Sequence, residues 1–169
     1  RFDYELIGQA ATLRPDWQFI LIGPIVKIDP AILPQNKNIH YLGGKLYDEL
    51  PSYLAGWDIA MIPFLLNEST RFISPTKTPE YLSAGIPVIS SAIRDVVNPY
   101  GKRKLVSIVS NADEFITAAE IALTAANKEQ WLSEVDSFLA KRSWDQTASD
   151  MMDHIRKAMG RKISVPLSA

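Results

Sequence analysis

A chain of 169 residues, 47% hydrophobic and 22% charged, has the size and composition of one soluble globular domain with enough apolar mass for a real core. Its formal net charge of −1 supplies no broad field for nucleic acid or an anionic membrane, so an anionic ligand must be met by local groups. The absence of cysteine removes disulfides and thiolate chemistry, His40 and His154 lie too far apart to suggest zinc, and no apolar run approaches the roughly 18–20 residues that span a bilayer.

In chain order, Arg1-Phe-Asp-Tyr-Glu-Leu6 reads as a helix already under way, without signal-peptide character. Asp3 is its expected cap, and Leu6, Ile7, Ala10 and Ala11 follow at helical spacing until Pro15. Trp17 to Gly23 is an apolar run suited to a strand buried on both faces. Residues 24–37, with three prolines, read as a loop, and Asn38–Leu42 as a second strand closed by Gly43-Gly44. A short helix is expected near Leu50–Gly56, a third strand over Asp58–Phe64, a helix ending at Gly85, a fourth strand over Pro87–Ser91 and a fifth over Leu105–Val109. Helices over about 112–126, 128–141 and 144–160 close the chain, the last opening on a capping box, Ser143-Trp-Asp-Gln146, with Ala148, Met151, Met152, Ile155 and Met159 on one face. Residues 162–169 read as a frayed tail.

Strands alternating with helices through short loops predict an α/β fold, a Rossmann-like parallel sheet flanked by helices. Ligands of such sheets sit outside the carboxyl ends of the strands, here at loops 23–37, 43–50, 64–79 and 91–104. The loop after the third strand is the specialised one. Ser74-Pro75 reads as a cap followed by proline at the first helical position, and a helix start attracts anions. Lys77 and Arg71 add charge, and Glu80, one turn on, suits the neighbouring hydroxyls of a ribose. Ser-Pro also starts many helices that bind nothing, and a Lys/Glu pair one turn apart is often only a solvated pair. Elsewhere, His40 and His154 read as structural or surface residues, Arg94-Asp95 as a site pair or a surface ion pair, and Trp17, Trp57, Trp131 and Trp144 as packing anchors.

The segment Ser74-Pro-Thr-Lys-Thr-Pro-Glu-Tyr-Leu-Ser-Ala-Gly-Ile-Pro-Val-Ile-Ser-Ser91 closely resembles the donor-site signature of group 1 glycosyltransferases of GT-B fold. Asn38–Gly43, Leu50–Ala55 and Asp58–Pro63 precede it in that family's usual order, so the resemblance covers about residues 1–125. It implies one half of a GT-B fold and a retaining, metal-independent transfer from a nucleotide-diphosphate sugar, UDP-sugar first by family frequency. It assigns Glu80 to the donor ribose and Ser74, Pro75, Thr76 and Lys77 to the diphosphate side, with the Gly43-Gly44-Lys45-Leu46 loop against the base. No cofactor and no metal are implied. The sequence departs from the pattern twice. Relatives carry a second glutamate eight positions before the one matched by Glu80, where this chain has Phe72; Glu68 and Arg71 are the candidates for that end of the site. Pro79 replaces a larger apolar residue, so the helix should kink or begin later than Ser74.

By the same resemblance, residues 1–143 form the donor-binding domain, whose first strand and glycine-rich turn are expected before Arg1. Arg1 itself matches a basic residue that contacts the diphosphate in relatives. Residues 144–161 form a helix expected to pack toward an N-terminal acceptor domain, the partner through which a glycan or lipid-linked acceptor would arrive. The expected setting is cytoplasmic, with peripheral membrane attachment open and no nucleic acid partner. Rival readings are a GT-B epimerase or phosphorylase using the same pocket, and a non-catalytic flavodoxin-like binding module.

Overall fold

The structure, a computed structural model, describes residues 2–26 and 28–163. Helix α1 (Tyr4–Leu13) starts where Asp3 Oδ1 accepts a 3.0 Å hydrogen bond from the Leu6 N–H, filling one donor that a helix start leaves free. Its buried face is Leu6, Ile7, Ala10 and Ala11, the stripe that spacing predicts. Strands β1 (Phe19–Leu21), β2 (Ile39–Tyr41), β3 (Ala60–Ile62), β4 (Val88–Ser91) and β5 (Val106–Val109) fall inside the five predicted runs. Between and after them lie α2 (Leu50–Leu54), α3 (Lys77–Ser83), α4 (Arg94–Val96), α5 (Ala112–Thr124), α6 (Lys128–Leu139) and α7 (Trp144–Ile163).

Among the described residues every strand ladder is parallel, with Phe19 opposite Ile39, Ala60 opposite Val88 and Val88 opposite Val106. The strands nonetheless form two sheets, β1–β2 and β3–β4–β5. One core joins them: Phe19 and Ile39 cluster with Ile89 and Val109 beneath Ile7 of α1 and Phe115 of α5. The opposite face of the three-stranded sheet, with Ile62, Val88 and Val106, packs on Leu82 of α3 and Val135 of α6. Ile7 and Val135 are both at 0% exposure, and burying such a side chain is worth about 1.5–3 kcal/mol. Parallel sheets flanked by helices on both faces make this the Rossmann-like arrangement the alternation predicts.

Two local expectations are corrected. The helix expected from Ser74-Pro75 begins at Lys77, with Thr76 in the cap position and making no side-chain cap bond. Pro79 explains the shift: in a helix starting at Lys77 it falls in the first turn, where a missing N–H leaves no bond unmade. The capping box at the start of α7 is half made. Ser143 Oγ accepts from the Gln146 N–H at 3.0 Å, but Gln146 Nε2 donates to Asp150 at 2.8 Å instead of returning to Ser143. Met151, Met152, Ile155 and Met159 of α7 are exposed. Of the predicted tail, residues 164–169 lie outside the described residues, as does Arg1. No described helix is long and apolar enough to cross a membrane.

Candidate functional site

The loops leaving the carboxyl ends of the strands are tied to one another. The Gly23 N–H donates to Gly43 O at 2.9 Å, joining the exits of β1 and β2. Gly43 holds φ +67°, a left-handed conformation that glycine adopts without a Cβ clash. At the exit of β3, Ser91 Oγ accepts from the Phe64 N–H and donates to the Phe64 carbonyl, each at 2.7 Å. The loop beyond is knitted by its own side chains. Thr70 Oγ1 accepts from the Asn67 N–H at 2.9 Å, and Asn67 Oδ1 accepts from the Ser69 N–H at 3.0 Å. The chain therefore enters α3 along a defined path.

On α3, Lys77 Nζ donates to Glu80 Oε2 at 2.6 Å, with the side chains 48% and 45% exposed. Both line a cleft of about 900 Å³ together with Tyr47, Leu50, Tyr53 and Tyr81. The hydrogen bond to Glu80 pushes the Lys77 ammonium above its ordinary value of 10.5, against the opposing effect of partial burial. Burial pushes the Tyr81 phenol up as well. The wall thus carries a cation held protonated, a carboxylate with lone pairs to spare and aromatic faces. Such a set can neutralise phosphate charge, accept from hydroxyls and stack on a ring.

The other proposed site residues do not line this cleft. Lys45 Nζ stands 5.6 Å from the centre of the Tyr53 ring, which brings the Gly44-Lys45 loop beside the cleft wall. Ser74 and Thr76 are exposed and Pro75 is half-buried, and the Pro75 carbonyl accepts from the Thr78 N–H at 3.2 Å. Thr78 itself is fully buried, and its Oγ1 has no partner among the described residues. Glu68 and Arg71 pair with each other at 3.6 Å on the surface, Glu68 being 89% exposed; Arg71 also lies over Phe72, at 5.3 Å from its ring. Arg94 and Asp95 are both exposed and make no ion pair with each other among the described residues. His40 meets Gln18 at 2.7 Å, and His154 is exposed.

Sequence reasoning missed Tyr47, Tyr53 and Tyr81. Tyr81 stands next to Glu80 in the motif and was readable as a neighbour; Tyr47 reaches the cleft only because the turn at Tyr47–Glu49 folds beside α3. Glu49 steadies that turn by accepting from the Leu46 N–H at 2.7 Å.

The profile of a family described as Glycosyl transferases group 1 matches residues 4–125. The putative teichuronic acid biosynthesis glycosyltransferase TuaH of Bacillus subtilis (strain 168) is 29% identical over 94 residues, which are 54% of this chain and 24% of that protein. Among solved structures, WaaG, a glycosyltransferase involved in lipopolysaccharide biosynthesis, superposes with a TM-score of 0.58 at 16% identity, over 88% of this chain and 42% of that one. The α,α-trehalose 6-phosphate synthase from Burkholderia multivorans gives 0.60 at 13% identity, over 100% and 44%. The chain therefore spans about a quarter of the curated relative and under half of either solved structure. The superpositions speak to fold, that of one Rossmann-like half of GT-B. The family match runs over more than two thirds of the 169 residues, and the chain belongs to the group 1 glycosyl transferases.

Proposed function

We propose that this chain is the donor-binding half of a retaining, metal-independent glycosyltransferase, and that it binds a nucleotide-diphosphate sugar, UDP-sugar first, at the cleft beside α3. The observation that carries the reading is the meeting of Lys77 and Glu80 on one cleft wall with Tyr47 and Tyr81. In this reading Lys77 turns from Glu80 toward the diphosphate, and Glu80 accepts from the two ribose hydroxyls. Ser74, Thr76 and the backbone around Pro75 lie on the diphosphate side, and the Gly44-Lys45 loop meets the base. Glu68 and Arg71 stand at the sugar end.

The chemistry asks little more of this half. The leaving group is a diphosphate, so the main task is to stabilise its developing charge with fixed donors. The Lys77 ammonium supplies that charge where another enzyme would use a metal ion. The acceptor, a glycan or a lipid-linked sugar, would be held by a second domain across the cleft, toward which α7 presents its apolar stripe. Without that domain the chain binds donor but does not transfer sugar. Cytoplasmic placement follows from where nucleotide sugars are made, and membrane attachment would be peripheral.

The test is a thermal-shift and calorimetric titration with UDP, GDP and ADP. A ligand that binds only the folded chain raises its stability as RT ln(1 + [L]/Kd). UDP is expected to stabilise most; no stabilisation by any of the three overturns the donor reading and favours a non-catalytic binding module.

A further inference from the structure

The far end of the three-stranded sheet carries a second concavity, of about 670 Å³, that shares no lining residue with the cleft at α3. Leu105, at its base, immediately precedes β5, so the concavity opens at the amino ends of the strands, away from the loop that leads to Lys77. Its walls are the turn ahead of β5 and the last turns of α6, and they are fixed to each other. Leu105 O accepts from Trp131 Nε1 at 3.3 Å. The turn closes on itself through the Lys104 N–H, which donates to Gly101 O at 2.9 Å, and the Leu105 N–H, which donates to Tyr100 O at 3.0 Å. On α6, Glu134 and Phe138 recur at helical spacing, Ser133 and Ser137 do the same, and Lys141 follows just past the helix end. That spacing gives them one shared face.

Charge sets this concavity apart. The Arg103 guanidinium lies over the Phe138 ring at 5.1 Å from its centre, and that of Arg142 over the same ring at 4.7 Å. Buried Tyr100 holds the ring in place, edge to face at 5.4 Å. Lys141 is a third cation on the wall. Among the described residues none of the three pairs with a carboxylate, and Glu134, the acid on the same wall, meets Gln130 at 3.5 Å instead. In a chain of formal net charge −1 this is a local excess of positive charge. Cations held over one ring repel each other, and an anion set between them removes that repulsion. A guanidinium offers a planar fork of N–H groups that fits two phosphate oxygens at once, and stacking on a ring orders it beforehand. Ser133 and Ser137 add hydroxyl donors. A lipid surface is gripped by apolar side chains as well as charge, and among the described residues no large apolar side chain is exposed on either wall. We propose that this concavity is a second anion site, which takes the phosphate group of a small soluble ligand between Arg103 and Arg142, with Lys141 and the two serines beside it.

The test is a titration of the 169-residue chain with inorganic phosphate and with pyrophosphate, followed through the Nε–H NMR signals of Arg103 and Arg142, with chloride at equal ionic strength as the control. Both signals should shift saturably with the phosphates and stay in place with chloride. Arg103→Gln and Arg142→Gln should each weaken the binding seen at the other arginine by at least about tenfold, the scale of a lost hydrogen bond between charged groups. Arg103→Lys and Arg142→Lys should recover only part of it, since lysine keeps the charge without the fork. Lys77→Ala, which removes a cation from the cleft at α3, should leave the shifts as they are. Signals that do not move, or that move equally with chloride, would overturn the proposal. So would shifts that Lys77→Ala abolishes, which assign the anion to the cleft at α3. Sedimentation with phosphatidylglycerol–phosphatidylcholine vesicles that Arg103→Gln abolishes, without any shift in phosphate, overturns it in favour of a lipid surface.

Discussion

Lys77 and Glu80 neutralise one another across one turn of α3, at 2.6 Å, in the free chain. With both side chains about half exposed, the pair adds only roughly 0.3–0.5 kcal/mol to stability. Its interest lies in what opening it releases, a cation and a carboxylate on the same cleft wall.

If those two groups hold a donor, Glu80→Ala should weaken UDP binding by about 1–3 kcal/mol, the scale of hydrogen bonds lost to a charged group, and Lys77→Ala by a similar amount. The double variant should lose more than the sum, because each single change also spares the remaining residue the cost of breaking its pair. Calorimetry on the four proteins measures this. A Glu80→Ala chain that binds UDP as the parent does removes Glu80 from the site.

The alkaline limit of stability has a defined origin. Burial raises the Tyr41, Tyr81 and Tyr100 phenols above their ordinary value of 10.0, and Glu80 raises Lys77 above 10.5. In each case the unfolded chain releases its proton first as pH rises, so these contributions are intact below pH 10 and fade above it. At the acid end, the hydrogen bond from Arg14 lowers the Asp16 carboxyl below 3.8, and that contribution is lost as pH falls through the lowered value. Urea midpoints measured from pH 3 to pH 11.5 should hold level in the middle and fall at both ends. Tyr81→Phe should lessen the alkaline fall; an unchanged alkaline limb would mean that Tyr81 ionises freely.

Asn38 is a pin between α1 and β2. Its buried carboxamide nitrogen lies 3.0–3.1 Å from the carbonyls of Ala11, Arg14 and Trp17, where α1 ends and β1 approaches. Asn38→Ala leaves those carbonyls short of a donor and should cost about 1–3 kcal/mol in urea denaturation. Asn38→Asp, which turns an accepting carboxylate oxygen toward three acceptors, should cost at least as much. A loss below a few tenths of a kcal/mol in both would show that water replaces the carboxamide.

Gly85 ends α3 at φ +71°, and a Cβ there would stand 3.3 Å from Leu132 of α6. Gly85→Ala combines left-handed strain of about 1–2 kcal/mol with pressure on the α3–α6 contact. A lowered melting temperature is the expected outcome, with UDP affinity reduced less than by Glu80→Ala, since the strain falls at the far end of the helix from Lys77. Unchanged stability would place the strain elsewhere.

How much of this was legible beforehand depends on how far each feature reaches along the chain. Asp3 caps Leu6, the Leu6–Ala11 stripe is buried, and all five strands sit inside apolar runs, because caps and periodicities act over three or four residues. The Lys77–Glu80 neighbourhood follows from the same helical geometry. The start of α3 was half legible: Pro79 forbade a helix from Ser74, yet only the folded path of 64–76 selected Lys77. Tyr47 beside α3, the three carbonyls around Asn38 and the Ser91 clamp on Phe64 were not legible, since they join residues about 20–30 positions apart. Such contacts are chosen by which elements pack together, not by what stands nearby in the chain. The division of the strands between two sheets is of the same kind: parallel runs declare themselves by composition, but which edges meet is decided where α1 and α5 lay them against a shared core.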